Sequence, residues 1–343
     1  MLGPMLRISA DAYAYACQSS GHCCKGWEVG VDRKTAGELP KRIRGIARYE
    51  GKRLFLEKDK ASTLHFQVLD FSKGQCVFVN PDLKCDVHAR FGPEAKPLIC
   101  RQYPFLAVKT PPGTDIHLAY SCPSAILRLK DPGPFRILQD PPDPPLMAYV
   151  KEIPASYPIG IPWEEQRLAE DQVLALLASG EGEPSRELAF ARMALERMKE
   201  GKTAAQAFGS FPGPLPLPSG ADARKLAGEA LRVMNVEAPS SDPVPFSAED
   251  WRVYRRYLSA KCFGNLLWTT YGLVPAFQAI LLLGYLVRVE AGRKGGLAEA
   301  IEWVERRYPH ESGVFDFWGR KGKGLGATAP VVSGALIVAG LSS

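Results

Sequence analysis

Cysteine is concentrated in the first third of this chain. Seven of its eight cysteines lie between residues 17 and 122 of 343, and two of the seven are adjacent. A chain that gathers so many thiols in one region has a specific use for sulfur, and three explanations compete: disulfide bonds, a bound metal or metal cluster, and thiol redox chemistry. The seven are Cys17, Cys23, Cys24, Cys76, Cys85, Cys100 and Cys122, whereas Cys262 stands on an apolar segment that predicts a core position.

The first residues of the sequence bear on the choice between these explanations. The opening stretch MLGPMLRISADAYAYACQ lacks the apolar segment of about 7–15 residues and the small-residue cleavage site of an export signal. We therefore expect a cytoplasmic protein, and cytoplasmic thiols are kept reduced. This favours metal ligands over disulfides. No C-x-x-C pair supports a thiol-redox enzyme, and no G-x-S-x-G elbow supports a serine hydrolase.

Composition describes a globular protein with a mild positive charge. Hydrophobic residues make up 46% and charged residues 23% of the chain, and the net charge is +6. A basic run over residues 41–53, KRIRGIARYEGKR, places Lys41, Arg44, Arg48 and Lys52 at helical spacing. Aromatic residues do not alternate with these cations as they would in a nucleic-acid stacking platform, so the run predicts a solvated helix face. We expect no nucleic-acid partner.

Proline marks the division of the chain. The segment 131–146, DPGPFRILQDPPDPPL, carries six prolines and can hold neither a continuous helix nor a central strand. We predict a cysteine-cluster metal-binding domain over 1–130, a Pro-rich linker over 131–162 and a helical domain over 163–343. The expected fold class is α+β, mainly α: an irregular cysteine-rich N-terminal domain with short β-hairpins, followed by a helical C-terminal domain.

Helical patterns follow the linker. Residues 163–179 place Leu168, Val173, Leu174 and Leu177 at helical spacing and so predict an amphipathic helix. Ser247 precedes a second helical segment as a cap, with Asp250 at the capping-box position.

An uncharged stretch runs from Phe263 to Val287. Its 25 residues are enough to span a bilayer. However, it contains Asn265 and Gln278, and Pro275 divides it into two shorter segments of core length. The pattern predicts a buried helical hairpin, and we expect no membrane span.

The first two cysteine groups lie on tight turns. In CQSSGHCC, over 17–24, Gly21 lets the backbone curl so that the thiols can converge. In GQCVFVNPDLKCDVH, over 74–88, the turn chemistry of Asn80-Pro81-Asp82 brings Cys76 toward Cys85. Cys85 and His88 then repeat the two-residue gap of a metal-ligand pair.

The remaining two cysteines flank a predicted β-hairpin. The Pro-Pro-Gly-Thr-Asp segment over 111–115 separates two strand-like runs, Phe105–Lys109 and Ile116–Ser121. Cys100 and Cys122 would then both lie at the open end of the hairpin. Sequence-distant thiols placed on turns and hairpin ends are the components of a metal site.

Counting ligands limits the metal. A structural zinc ion and a cubane iron–sulfur cluster each take four ligands, and soft thiolates favour both over calcium or magnesium. Arg101 and Tyr103 neighbour Cys100 and are candidates for contacts behind the ligands, where a guanidinium would offset thiolate charge. No catalytic residue can be identified. The predicted ligand pool is Cys17, Cys23, Cys24, Cys76, Cys85, Cys100 and Cys122, with His88 as an additional candidate.

These segments resemble the YkgJ-type cysteine-cluster family of zinc- or iron-chelating proteins, which includes the flagellin lysine N-methylases. The resemblance covers residues 17–123 and rests on Cys17, on CCKGWEVGVD, on CVF followed by CDVH, on KPLICRQYPF and on SCP. CCKGWEVGVD is similar to the methylase branch, and KPLICRQYPF to the wider family. Family members often carry a further cysteine inside the first cluster, which here reads QSSGH, so either His22 substitutes for it or that ligand is absent.

The resemblance implies a bound iron–sulfur cluster or zinc, and transfer of a methyl group from S-adenosylmethionine to a lysine of flagellin or another protein substrate. The residues themselves support the metal and not the transfer, since no G-x-G-x-x-G turn follows a strand. The alternative function is a non-catalytic, zinc-stabilised scaffold or interaction protein.

Overall fold

The structure of this chain is a computed structural model. It describes residues 5–18, 20–21, 24–25, 29–57, 67–71, 74–145, 147, 150–152, 161–209, 244–265 and 273–307. Short strands lie mainly in the N-terminal part, and longer helices make up most of the C-terminal part. This confirms the predicted α+β, mainly α, class.

Two sheets contain all the named strands of the described residues. A five-stranded sheet has the order β7-β1-β6-β5-β8, and a three-stranded sheet has the order β2-β4-β3. The strands are β1 (Met5–Ser9), β2 (Gly30–Val31), β3 (Phe55–Glu57), β4 (Gln67–Leu69), β5 (Phe105–Thr110), β6 (Gly113–Leu118), β7 (Ile137–Gln139) and β8 (Lys151–Glu152).

The predicted hairpin forms the centre of the larger sheet. Strands β5 and β6 pair antiparallel, from Phe105 opposite Leu118 to Thr110 opposite Gly113. The prediction of a hairpin is confirmed, although the connection is tighter than expected, because only Pro111 and Pro112 separate the strands. The open end of the hairpin adjoins the segments that carry Cys100 and Cys122.

The Pro-rich segment contributes to this sheet. Strand β7 pairs with β1, and β8 pairs with β5, so both edge strands come from residues 131–162. Edge positions suit a Pro-rich sequence, because an edge strand can lack backbone donors on its outer side. The segment predicted as a linker is thus part of the five-stranded sheet.

A close backbone approach joins β1 to β6. The two strands are parallel, with Met5 opposite Gly113, and the Met5 amide donates to the carbonyl of Pro112 at 2.9 Å. A Cβ atom on Gly113 would lie 1.7 Å from the carbonyl oxygen of Met5. Only glycine allows this contact.

We therefore expect Gly113→Ala to destabilise the protein by about 1–3 kcal/mol, because strand or turn must move to admit the methyl group. Gly37→Ala is the matched control. Gly37 lies inside a helix with nothing within 4 Å of its added Cβ, and the change should stabilise by about 0.5–1 kcal/mol. Urea unfolding of both variants measures the difference, and equal stabilities would contradict the described pairing.

The basic run over residues 41–53 does not form the single helix that its spacing predicted. Helix α2 (Arg33–Arg42) ends at the start of the run, and a short 3₁₀ helix follows at Ala47–Tyr49. Gly45 and Gly51 have φ values of +79° and +69°, which interrupt a continuous helix. The prediction of one helix face was wrong, and Arg48 turns inward, where it donates to the Val79 carbonyl.

Eleven helices are named here in chain order for the described residues, and those of the N-terminal part are short. Besides α2, they are α1 (Ala10–Tyr13), α3 (Asp86–Phe91), α4 (Leu98–Gln102), α5 (Pro123–Leu129), α6 (Trp163–Ala178), α7 (Ser185–Lys199), α8 (Ala204–Phe208), α9 (Ala248–Asn265), α10 (Leu273–Lys294) and α11 (Leu297–Arg307).

Two helix starts follow the sequence patterns. Helix α6 forms where the apolar spacing predicts it, with Val173 and Leu177 buried. Before α9, the Asp250 amide donates to Oγ of Ser247 at 3.2 Å and the Ser247 amide donates to Oδ2 of Asp250 at 3.0 Å. The predicted capping box is confirmed, with aspartate in the usual glutamate position.

The buried face of α6 differs from the prediction in its charge. Leu168 is 48% exposed, whereas Gln166 and Glu170 are buried. The assignment of Leu168 to the apolar face was therefore wrong. Glu170 is buried because β1 and β6 carry charged side chains on the side that faces the helix. Arg7 of β1 pairs with Glu170, and Asp115 of β6 pairs with Arg167.

Arg7, Asp115, Arg167 and Glu170 form a buried ion cluster. Nη2 of Arg7 lies 3.0 Å from Oε2 of Glu170, and Nη1 of Arg167 lies 2.9 Å from a carboxylate oxygen of both Glu170 and Asp115. Burial, followed by repulsion from Glu170, raises the pKa of Asp115 to about 8. Burial likewise raises the pKa of Glu170 to about 8. The cluster fastens the five-stranded sheet to α6.

The uncharged stretch is divided between two helices. Helix α9 ends at Asn265 and α10 begins at Leu273, and the two helices pack against each other. Pro275 lies in the first turn of α10, where its missing N–H leaves no helical hydrogen bond unmade. Among the described residues, every helix is too short or too polar to cross a membrane. Residues 266–272 lie outside the described part of the chain.

The buried apolar residues divide into two cores. The first core joins β1, β5, β6 and α5 to α6–α11, and it contains Cys122 and the fully buried Cys262. The second core lies among α2, β2, β4 and α3, with Leu39, Phe78 and Val87 among its buried members. The core position predicted for Cys262 is confirmed.

Candidate metal centre

The first cysteine loop packs on the turn between Cys76 and Cys85. The Cys24 amide donates to the Gly21 carbonyl at 3.1 Å, and Gly21 has φ +69°. A Cβ on Gly21 would lie 2.4 Å from the Leu83 carbonyl oxygen, so the glycine packs directly on the segment between Cys76 and Cys85. Cys23 and His22 lie outside the described residues.

Cys24, Cys76 and Cys85 are joined through the backbone. The Cys76 amide donates to the Cys24 carbonyl at 2.9 Å, and Val79 forms a bridge with Cys85. Asn80 closes the turn between them, because its Oδ1 accepts from the Lys84 amide at 2.9 Å. The predicted turn is confirmed, and it returns the chain so that three cysteine positions lie on adjoining segments.

Cys100 reaches the same region through α4. Oδ2 of Asp32 accepts the Leu98 amide at 2.9 Å while its other oxygen caps α2 at the Thr35 amide, at 3.0 Å. Burial would raise the pKa of Asp32, but these backbone hydrogen bonds outweigh it, and the pKa is lowered. The ionised carboxylate thus ties the helix that carries Cys100 to the second core.

Four of the predicted ligands pack on this second core. Cys76 is buried within it, and Cys24, Cys85 and Cys100 are partly buried against it. These thiols come from three stretches of sequence, each fixed by the backbone contacts above. A group of thiols with this burial is suited in donor chemistry to zinc or to iron–sulfur ligation.

Cys17 and Cys122 lie together in another place. Cys122 is buried in the first core at the start of α5, and Cys17 is exposed. The Tyr15 hydroxyl lies 3.5 Å from Sγ of Cys122 and also interacts with the Cys17 thiol. Tyr15 was not among the residues predicted from sequence. Its aromatic type beside a cysteine was visible, but its partner lies 107 residues away.

The described thiols have not converged into a coordination geometry. The seven described cysteines form no disulfide with one another. Among the described residues, no three cysteine, histidine, aspartate or glutamate side chains form a group that could hold a metal ion. His88 is exposed on α3. Since Cys23 belongs to the pool but not to the described residues, the ligand set stays a prediction that the donor chemistry fits.

The two predicted neighbours of the ligands have other partners. The Arg101 guanidinium pairs with the Glu94 carboxylate. The Tyr103 hydroxyl lies 3.1 Å from Oγ of Ser121. Their contact with a metal centre stays a prediction.

The C-terminal part of the chain reaches the first cysteine loop. Nη1 of Arg306, on α11, donates to the Lys25 carbonyl at 3.4 Å. Helix α11 also packs against α5, which begins after Cys122. The helices therefore contact both cysteine-bearing regions.

Comparisons with known proteins give one match. No curated protein and no solved structure matches the chain. Residues 16–123 match the family model CxxCxxCC, described as "putative zinc- or iron-chelating domain", and this supports metal binding by that part of the chain. In the spacing that the name spells, Cys17, Cys23 and Cys24 take the first, third and fourth positions, and Ser20 stands in the second.

Proposed function

We propose that this chain is a metal-binding protein whose residues 16–123 hold zinc or an iron–sulfur cluster through thiolates of the predicted pool. The observation that carries the proposal is the packing of Cys24, Cys76, Cys85 and Cys100 around one small core. Thiolates are the ligands that zinc and iron–sulfur clusters favour. The family match over the same residues supports it. The proposal places the protein in the cytoplasm, where thiols stay reduced.

Anaerobic purification tests this proposal. We expect the full-length protein to contain metal, and the absorption spectrum with iron, zinc and sulfide analysis identifies it. Brown protein with iron and inorganic sulfide would show a cluster, and colourless protein with about one or two zinc ions would show a closed zinc site. Protein that contains no metal and takes up neither zinc nor iron with sulfide would refute the proposal.

A zinc-stabilised scaffold is the second candidate, and the size of the second core favours it. This core has far fewer buried residues than the first, and its strands are two or three residues long. Small cores of this kind gain much of their stability from a structural metal. If the metal only holds the fold, a chelator should unfold this region and zinc alone should restore it.

A protein lysine N-methylase is the enzymatic candidate. The likeness of CCKGWEVGVD to the methylase branch supports it, and the contacts of α11 with the cysteine-bearing regions would couple a helical substrate-docking face to the metal. Incubation of fully metallated protein with labelled S-adenosylmethionine and flagellin tests it. Transfer of label to flagellin lysines would support the activity, and the absence of transfer to flagellin would remove flagellin as the substrate.

A further inference from the structure

One tyrosine hydroxyl connects the two ends of the cysteine-rich region. The Tyr15 oxygen lies 3.5 Å from Sγ of Cys122 and interacts with the thiol of Cys17 as well. The Tyr15 ring packs edge-on against Phe105, with the ring centroids 5.3 Å apart. The hydroxyl therefore interacts with two cysteines that are distant in sequence.

The surrounding backbone holds the two segments together independently of this hydroxyl. The Gln18 amide donates to Oγ of Ser124 at 3.0 Å. Cys122 is 5% exposed and lies at the start of α5. Removal of the Tyr15 oxygen alone should leave Cys17 and Cys122 near each other, and so its effect on the sulfurs can be separated from folding.

A phenol can donate a hydrogen bond to a thiolate, which has no hydrogen-bond donor of its own. A thiolate has no proton, so the Tyr15 O–H must act as the donor when Cys122 or Cys17 is ionised. Hydrogen bonds to ligand sulfurs orient them and change the affinity and the reduction potential of the bound metal.

We propose that Tyr15 is a positioning residue of the metal centre, with its hydroxyl donating to the thiolates of Cys122 and Cys17. This inference rests on the proposed function. It adds to that function a residue that is not itself a ligand, and it assigns Cys17 and Cys122 to one shared location.

Tyr15→Phe tests the inference, with Tyr13→Phe as the matched control. Both changes remove one hydroxyl oxygen from a tyrosine of the same short segment, but the Tyr13 hydroxyl donates to the Pro142 carbonyl at 3.0 Å. Full-length protein is loaded with zinc, or with cobalt(II) as its coloured substitute, and titrated with a chelator. We expect affinity to fall about 10–100-fold in Tyr15→Phe and the thiolate-to-cobalt absorption band to shift. Tyr13→Phe should stay within about twofold of wild type, because its hydroxyl bonds a backbone carbonyl and not a predicted ligand.

The result for the wild type separates the two proposals. Wild-type protein that takes up no metal would remove the proposed function, and the inference with it. If the wild type binds metal and Tyr15→Phe has the same affinity and spectrum, the inference alone is overturned. The melting temperatures of metal-free wild type and metal-free Tyr15→Phe are also measured, and we expect them to be equal. A loss of stability in Tyr15→Phe that fully accounts for its weaker metal binding would also overturn the inference. If the metal is an iron–sulfur cluster, a shifted reduction potential replaces the cobalt band.

Discussion

Replacing Cys76 by alanine should abolish stoichiometric metal binding. Cys76 is 5% exposed in the second core, and its amide is bonded to the Cys24 carbonyl. Changes behind a ligand weaken a metal site by about 10–100-fold. Loss of a ligand should therefore weaken it by more than about 100-fold. Metal analysis and chelator competition on the full-length variant measure the effect.

Cys262→Ala is the matched control for this experiment. Cys262 is also buried, but it lies in the first core on α9, whereas Cys76 lies in the second core, and Cys262 is not a predicted ligand. Its replacement should lower stability by about 1–2 kcal/mol through lost packing and leave metal content unchanged. Equal metal content in Cys76→Ala and Cys262→Ala would show that Cys76 is not a ligand.

The second large effect is expected at the buried ion cluster. Arg7→Met should destabilise the protein by about 3–5 kcal/mol near pH 8.5, because it leaves the carboxylates of Glu170 and Asp115 buried with only Arg167 to balance them. Urea unfolding followed by circular dichroism measures this change. Arg42→Met is the control, since Arg42 and Glu38 form an exposed pair at 3.4 Å whose loss should change stability by less than about 0.5 kcal/mol.

The penalty of Arg7→Met should depend on pH. The pKa values of Asp115 and Glu170 rise from 3.8 and 4.5 to about 8 on folding. A group with a raised pKa binds its proton more tightly in the folded state, so the associated stability is complete below the unfolded value and is lost as pH rises toward 8. At pH 5.5 the carboxyls can take up protons in place of their pairing with Arg7.

Comparison of the variant with wild type at pH 5.5 and pH 8.5 checks this sign. Asp171 also pairs with Arg7, at 3.3 Å, and burial raises its pKa while Arg7 lowers it. Its loss of Arg7 therefore changes the penalty in the same direction as that of Asp115 and Glu170. We expect the smaller penalty at pH 5.5. The same penalty at both pH values would show that the carboxyls of the cluster do not change protonation between pH 5.5 and pH 8.5.

Local patterns predicted the elements whose determinants are adjacent in sequence. The hairpin around Pro111-Pro112 and the turn at Asn80 depend on turn residues within each segment. The capping box joins Ser247 to Asp250, three residues later. Each of these could be predicted because the residues that stabilise the element lie inside it.

The features that could not be predicted depend on contacts between residues that are distant in sequence. The parallel pairing of β1 with β6 joins Met5 to Gly113, and no local pattern specifies such a distant partner. The burial of Glu170 in place of Leu168 depends on Arg7, which lies more than one hundred residues away along the chain. The proposed role of Tyr15 could not be predicted for the same reason, because its partner Cys122 lies 107 residues away in sequence. Apolar periodicity indicates that a helix has a buried side, but not which charges the facing element presents to it.

Residue type predicted which side chains belong to the ligand pool, but not where each of them lies in the fold. Type and spacing predicted Cys24, Cys76, Cys85 and Cys100 as ligands, and the fold places these four around one core, while their role as ligands stays a prediction. The separate location of Cys17 and Cys122 could not be predicted, because it depends on where α5 packs against the first core. Sequence spacing describes single loops and not the distances between them.

The interior position of β1 in its sheet has a consequence for the order of events during synthesis. This strand lies between β6 and β7, so its partners are residues 113–116 and 137–139. At about 5–20 residues per second, the ribosome completes β7 roughly 6–26 s after β1. Cys17 is likewise made well before Cys122 and before Ser124, whose Oγ accepts the amide of the neighbouring Gln18. A metal held jointly by Cys17 and Cys122 can be inserted only late in translation or after release, and until then the nascent thiols stand open to oxidation or to metal carriers.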